Sequence, residues 1–273
     1  MAAVVAGVVV VAALLVGVVS LRHSRDRQTG VPAVAASVSI APSAQPAVAA
    51  TASAAPTSSA TPTASPTPSS SAVPAYTVGG PAPRPAITKD FITFDAQRRA
   101  EMGAYALHHY GSSDIHIDPK VIVLHYTCGS AYASAHATFE SDAPNMGVKP
   151  GVVSQFVIDK DGTIYQQIPL AYVGRHTVGL NHVAFGIECV EECSSGDAQA
   201  VSAIMHRKPQ LKSLVALVRW LMYRYQISLS DVIGHGMAND SPYFRDLEGW
   251  KNDHTDWSQP QILLLRTKVR NGQ

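Results

Sequence analysis

Three polar positions, far apart in the sequence, could supply ligands to one metal ion. His125 ends the apolar run VIVLHY, and His235 ends the short run DVIGH. The charged segment KNDHTDW, residues 251–257, adds Asp256. Two imidazoles and one carboxylate, with one coordination position left open, are a donor set suited to hydrolytic zinc. The residue types therefore indicate a candidate zinc site at His125, His235 and Asp256.

Each of these positions also has a simpler interpretation. Short charged runs are usually solvated loops, and a lone histidine at a strand end is more often structural. Two histidines at strand exits, where sites in α/β sheets gather, favour a shared site. The wide separation of the ligands makes their spacing a weaker signal than a compact metal motif. Six histidines have no such context and are assigned no function: His108, His109, His116, His136, His182 and His206.

The composition of the chain excludes some classes of partner. The 273 residues are 46% hydrophobic and 15% charged, and the formal net charge is +1. A chain this close to neutrality lacks the basic surface typical of nucleic-acid binders. We therefore expect no nucleic-acid partner, and we expect a monomer.

The amino-terminal region predicts a membrane connection followed by a spacer. Residues 2–21 form an uncharged apolar run that is long enough to cross a bilayer. Three arginines follow this run and none precedes it, which alone would keep the remainder in the cytoplasm. Residues 28–86, rich in Ala, Pro, Ser and Thr, instead predict a disordered spacer to an extracytoplasmic domain. We interpret residues 1–27 as a transmembrane anchor or, alternatively, a cleaved signal segment.

Residues 87–273 predict one α/β domain. Strands are predicted over 121–126 and 184–190, and a hairpin over 154–168 turns at Asp161-Gly162. Apolar spacing predicts helices over 95–109, 130–140, 210–226 and 259–270. Strands interleaved with helices, one pair of them a hairpin, indicate a central mixed β-sheet flanked by helices.

Several motifs, in this order, resemble one enzyme family. They are HYT (125–127), SQFVIDKDGTIYQQIP (154–169), GRHTVGLNHVAFGIECV (174–190), VIGHG (232–236) and HTD (254–256). The combination resembles the zinc-dependent N-acetylmuramoyl-L-alanine amidases related to phage-type amidases and peptidoglycan recognition proteins. The resemblance covers most of residues 90–260. It implies a mixed sheet, one Zn²⁺ ion, and cleavage of the amide between N-acetylmuramic acid and L-alanine in peptidoglycan or muropeptides.

The resemblance also implies roles for individual residues. His125, His235 and Asp256 match the three zinc ligands of the family. Glu188 matches the acidic residue that transfers protons in one branch, and His254 falls where other members carry a Lys facing the substrate carbonyl. The residues expected to contact substrate are His176, Asn181 and Thr127.

Two departures from the family pattern affect these expectations. Ser154 stands where another branch has a Tyr in the proton-transfer role, which leaves Glu188 as the candidate, although a carboxylate there could also pair with an Arg. Gln155 replaces a His found in many members. Residues 237–253 are a longer insertion than the shorter members carry, and we expect Tyr243 and Trp250 in it to wall the groove.

Two other functions remain open from the sequence. One is a non-catalytic peptidoglycan-binding module, which Asp256 argues against because such relatives usually lack the third ligand. The other is a thiol peptidase with Cys128 as nucleophile and His125 or His176 as base. The chain has three cysteines, so Cys128 could instead form a disulfide with Cys189 or with Cys193.

Overall fold

The structure, a computed structural model, describes residues 81–273. The predicted anchor, residues 1–27, and most of the predicted linker, residues 28–86, lie outside the described residues. Within residues 81–273, no helix combines the length and apolar character needed to cross a membrane.

A six-stranded mixed sheet forms the centre of the domain. Its strands are β1 (Thr88–Lys89), β2 (Val121–Tyr126), β3 (Phe156–Ile158), β4 (Ile164–Gln166), β5 (Ala184–Cys189) and β6 (Val232–Gly234). The order across the sheet is β1-β4-β3-β5-β2-β6. The hairpin β3-β4 is antiparallel, and the other neighbouring pairs are parallel. The predicted mixed sheet is therefore confirmed.

Five α-helices surround the sheet. They are α1 (Ala96–Tyr110), α2 (Tyr132–Glu140), α3 (Asp197–His206), α4 (Lys208–Tyr225) and α5 (Gln259–Asn271). Local signals set their ends: the Asp95 side chain caps α1, and Gly111 ends it at φ 76°. Ser258 and Gln261 form a capping box at the start of α5. Four of these helices match the predicted ones within two residues, whereas α3 was not predicted.

Alternation along the strands decides which side chains face the site. In β2, Ile122 and Leu124 pack against α3, α4 and α5, whereas Val121 and Val123 belong to a cluster on the opposite face. His125 continues the second series because successive side chains of a strand point to opposite faces. Glu188 of β5 is the register partner of His125. The two side chains therefore share one face at the carboxyl ends of parallel strands.

A glycine brings the third polar position to the same place. Gly234, the last residue of β6, pairs with Leu124 of β2, so His235 follows beside His125. The segment that contains Trp257 crosses directly over Gly234: a Cβ built on that glycine would lie 1.6 Å from the Trp257 carbonyl oxygen. Only a residue without a side chain allows this approach. The absence of a side chain at position 234 thus lets Asp256 reach the two histidines.

Candidate active site

His125, His235 and Asp256 meet at one point. The three residues are buried, and one ligand atom from each lies within 4.8 Å of the other two. The two Nδ1 atoms are 3.1 Å apart. The carboxylate of Asp256 lies 3.4 Å from Nδ1 of His125 and 3.2 Å from Nδ1 of His235. The structure therefore brings together the three residues that the sequence proposed as ligands.

Neighbouring side chains can accept a hydrogen bond from Nε2 of His125. Nε2 of His176 lies 3.1 Å from the carbonyl oxygen of Ala184, which can only accept, so this nitrogen carries a hydrogen. Burial lowers the pKa of His176 well below its usual value, so its Nδ1 carries none and can accept from the Thr177 hydroxyl, 2.8 Å away, or from His125 Nε2, 3.2 Å away. Burial, aided by His235, also lowers the pKa of His125 to about 4. A neutral His125 that donates through Nε2 presents a lone pair at Nδ1.

A side-chain amide orients His235 in the same sense. Nδ2 of Asn252 donates to the carbonyl oxygen of Val178 at 2.8 Å, so Oδ1 of Asn252 is turned toward His235. Nε2 of His235 lies 3.0 Å from that oxygen and donates to it. In the neutral ring the lone pair is then on Nδ1, which faces His125 and Asp256.

The resulting cluster has the donor chemistry of a zinc site. Two imidazole lone pairs and a carboxylate converge in a buried space, where they repel each other unless a cation lies between them. Zinc–ligand bonds of about 2.0–2.2 Å at tetrahedral angles place neighbouring donors roughly 3.4 Å apart. The two Nδ1 atoms are 3.1 Å apart, and each lies 3.2–3.4 Å from a different oxygen of Asp256, which is near that value.

Glu188 lies on the same face with one oxygen unpaired. Its Oε1 accepts a long hydrogen bond of 3.4 Å from the Ser154 hydroxyl, and its Oε2 is shielded from solvent with no hydrogen-bond partner in the structure. Burial and the nearby charge of Asp256 raise the pKa of Glu188 to about 8. No Arg pairs with this carboxylate among the described residues. A carboxyl group with these properties can both take up and release a proton near neutral pH.

His254 stands at the exposed edge of the site. Its side chain is 66% exposed, and its ring stacks on the ring of His235 with 4.5 Å between centroids. It lines the groove that contains the three ligands. Thr127 lines the same groove, and its hydroxyl is hydrogen-bonded to the backbone of Gly129 and Glu191. The roles given to His254 and Thr127 stay predictions.

His176 and Asn181 line the groove and also support the ligand His125, and their expected contacts with substrate stay predictions. His176 lies behind His125 and is bonded to it, as described above. The side chain of Asn181 is fully buried. Its Oδ1 accepts from the backbone N–H groups of His176 and Thr177, and its Nδ2 donates to the Tyr105 hydroxyl. Asn181 therefore holds the loop that carries His176.

A groove of about 830 Å³ opens over the site. Residues 251–255, at the end of the insertion and just beyond it, form part of its wall. The expected aromatic wall of Tyr243 and Trp250 is wrong, because neither side chain lines the groove. Trp250 packs against His109 of α1, with ring centroids 4.7 Å apart, and His109 bonds Asp246 at 2.8 Å. These contacts anchor the insertion instead.

The cysteines form one disulfide at the edge of the groove. Cys128, after β2, is bonded to Cys193, after β5. Cys189 is the one free cysteine among residues 81–273, and it is buried on the helix-covered face. Burial raises the pKa of its thiol. Because Cys128 has no free thiol, the structure contradicts the thiol peptidase alternative.

Sequence reasoning missed several residues that support the ligands. Thr177 contacts Nε2 of His125 at 3.2 Å, Asn252 orients His235, and the Trp257 indole donates to the carbonyl oxygen of His125 at 3.1 Å. Trp257 and Asn252 belong to the charged segment KNDHTDW, residues 251–257. Their proximity to Asp256 in the sequence was the available signal, but their partners lie on other strands and loops.

Comparisons with known proteins identify the family of this chain. A family model described as N-acetylmuramoyl-L-alanine amidase matches residues 116–257. A comparison with curated proteins found no match. Among solved structures, the endolysin amidase LysCS from Clostridium intestinale URNW is 26% identical, covering 56% of this chain and 83% of that chain, with a TM-score of 0.38. A mutant endolysin from Bacillus subtilis is 20% identical, with coverages of 68% and 97% and a TM-score of 0.43. The amidase AmiD from E. coli, solved with the substrate anhydro-N-acetylmuramic acid-L-Ala-D-γ-Glu-L-Lys, is 21% identical, with coverages of 46% and 53% and a TM-score of 0.35.

Proposed function

Because this chain belongs to the N-acetylmuramoyl-L-alanine amidase family, we propose that it holds one Zn²⁺ ion with His125, His235 and Asp256. The chain hydrolyses the amide bond between N-acetylmuramic acid and L-alanine in peptidoglycan. The observation that carries the zinc proposal is the convergence of two imidazoles and one carboxylate, whose ligand atoms lie within 4.8 Å of one another. Zinc bound there supplies a Lewis acid that makes hydroxide available at neutral pH and polarises the scissile carbonyl.

Glu188 is the proposed proton-transfer residue. Water adds to the carbonyl carbon, the C–N bond breaks, and one proton must move from the water to the departing nitrogen. The unpaired Oε2 of Glu188 and its pKa near 8 support both halves of that transfer. Positioned proton transfer typically contributes about 10²–10⁴ in rate. The products are the lactyl carboxylic acid and a free amine on L-alanine.

His254 is the proposed donor to the substrate carbonyl oxygen. It lines the groove at the exposed face of His235, where a carbonyl placed over the metal site would lie within its reach. A well-placed donor to a developing oxyanion contributes roughly 3–4 kcal/mol. Thr127, on the same wall, would contact the sugar or the peptide. His176 would act through His125, since the two rings are bonded to each other.

Digestion of purified muropeptides tests the reaction and the metal together. The purified chain should release the stem peptide with a new amino group on L-alanine, which mass spectrometry identifies. A strong chelator should abolish the release, and added Zn²⁺ should restore it. Cleavage at a different bond would contradict the reaction, and turnover that survives complete chelation would contradict the zinc site.

A cell-wall substrate implies action outside the cytoplasm, and the disulfide is typical of an oxidising compartment. We further propose that residues 2–21 anchor the chain in the membrane and that the enzyme acts as a monomer. On fractionation the full chain should sediment with membranes, and a chain beginning at residue 28 should not. Recovery of a full chain lacking residues 2–21 from the medium would favour a cleaved signal segment.

A further inference from the structure

A short segment after β5 contacts both stretches of chain that carry metal ligands. Cys193 is joined by the disulfide to Cys128, three positions after His125. Four positions beyond Cys193, the two carboxylate oxygens of Asp197 accept separate hydrogen bonds. Oδ1 accepts from the Tyr126 hydroxyl, and Oδ2 accepts from the Thr255 hydroxyl.

The partners of Asp197 are the immediate neighbours of two proposed ligands. Tyr126 follows His125 on β2, and Thr255 precedes Asp256. One carboxylate therefore joins the strand that carries the first ligand to the loop that carries the third. Asp197 is also the first residue of α3, where the positive end of the helix dipole stabilises a carboxylate.

The residues just before Asp256 are not held by burial. Asp253, His254 and Thr255 are exposed. The backbone of Asp256 accepts one hydrogen bond from the N–H of Gly236 at 3.0 Å. The Thr255 side chain is bonded to Asp197, so this carboxylate restrains the segment one residue before the ligand.

We propose that Asp197 is a positioning residue that braces His125 and Asp256 for zinc, and that the Cys128–Cys193 disulfide holds this brace in place. The inference rests on the zinc site of the proposed function. It assigns to the segment 193–197 the task of keeping two distant ligands at a fixed separation. Asp197 acts through Tyr126 and Thr255, because both of its oxygens are occupied by their hydroxyls.

Zinc affinity of the full chain tests the brace without reference to turnover. Asp197→Ala should weaken zinc binding about 10–100-fold, the usual effect of removing a group that orients metal ligands. The affinity is measured by competition with a chromophoric chelator. Asp118→Ala removes an exposed carboxylate elsewhere, paired with Lys120, and should leave the affinity unchanged. Melting of the metal-free proteins, recorded alongside, should be similar.

Variants that remove the two hydroxyls or the disulfide show whether Asp197 acts through the proposed contacts. Tyr126→Phe and Thr255→Val should each weaken zinc binding, and each should have a smaller effect when Asp197 is already Ala. Cys128→Ser with Cys193→Ser should act in the same direction and less than additively with Asp197→Ala, since residues in one network couple. If Asp197→Ala fails to fold, the hydroxyl deletions decide.

The outcomes separate this inference from the proposed function. A wild-type chain that binds no zinc would overturn both. A wild-type chain that binds zinc, with unchanged affinity in Asp197→Ala or in both hydroxyl deletions, would overturn the brace alone. Full additivity of the disulfide and Asp197 changes would show that the disulfide does not act through Asp197.

Discussion

The two histidines of the site are supported by different parts of the molecule. His125 is backed by His176 and Thr177, on a loop held by the buried Asn181. His235 is backed by Asn252, which belongs to the insertion and is half-buried. One ligand is thus oriented by the core of the fold and the other by an added segment. The difference suggests that the orientation of His235 is the easier of the two to alter.

The largest loss of zinc and of turnover should come from removing either of these two histidines. His125→Ala and His235→Ala should both lose bound zinc, and turnover should fall by at least roughly 10³-fold, because two remaining ligands do not hold the ion. Metal content of the purified proteins and muropeptide hydrolysis measure the result. Retention of stoichiometric zinc in either variant would show that the ligand set is wrong.

A variant of Glu188 distinguishes loss of proton transfer from loss of the metal. Glu188→Gln should keep zinc and lower kcat by about 10²–10⁴, because the amide cannot accept the proton. Glu192→Gln changes an exposed glutamate nearby and should have little effect. Near-full activity of the Glu188 variant would remove this residue from the proton-transfer role.

The same variant should alter the pH dependence of stability in the metal-free chain. The pKa of Glu188 is about 8 in the folded protein and about 4.3 in an unfolded chain. Its protonation therefore stabilises the fold below about pH 4.3, and this contribution is lost as pH rises toward 8. As pH rises from about 4.3 to about 8, the free energy of unfolding of wild type should fall by roughly 3 kcal/mol relative to that of Glu188→Gln. This figure takes about 1.4 kcal/mol per pKa unit and reduces the sum because the carboxyl is partly solvated. Denaturant unfolding in the presence of chelator at both pH values measures this difference. If the unfolding free energies of the two proteins differ by the same amount at both pH values, the raised pKa of Glu188 is contradicted.

Smaller effects are expected from removing the residues that orient the two histidines, and these effects compare the two kinds of support directly. His176→Ala should weaken zinc binding roughly 100-fold, and Asn252→Ala roughly 10-fold, within the range for groups that orient metal ligands. Asn271→Ala, at the exposed end of α5, serves as the control. Chelator competition gives both affinities. An effect of Asn252 equal to or above that of His176 would mean that the insertion supports the site as firmly as the core does.

The sequence predicted the parts of this molecule that depend on local pattern. The apolar run 121–126 coincides with β2, the predicted mixed sheet and four helices occur as expected, and the three candidate ligands lie together. The two-residue β1 is too short to leave a pattern, and α3 lacks a side-chain cap at Gly196. The disulfide partner of Cys128 could not be predicted, because it depends on where the loops after β2 and β5 meet in the folded chain.

Support of the ligands was harder to predict for a physical reason. The ring of His176 reaches His125 because its loop closes over Gly186, where a Cβ would lie 2.7 Å from that ring. Asn252 and Asp197 act on residues that are distant in the sequence. Such contacts follow from tertiary geometry, which residue type and spacing do not encode.

The position of Trp257 gives the site a built-in optical signal. This indole is fully buried, adjoins Asp256 in the chain and donates to the carbonyl of His125. Its emission will respond to small displacements of either neighbour. In a chain whose other two tryptophans, Trp220 and Trp250, are replaced by Phe, fluorescence becomes a direct titration readout for ions entering the cluster, without labels or substrate.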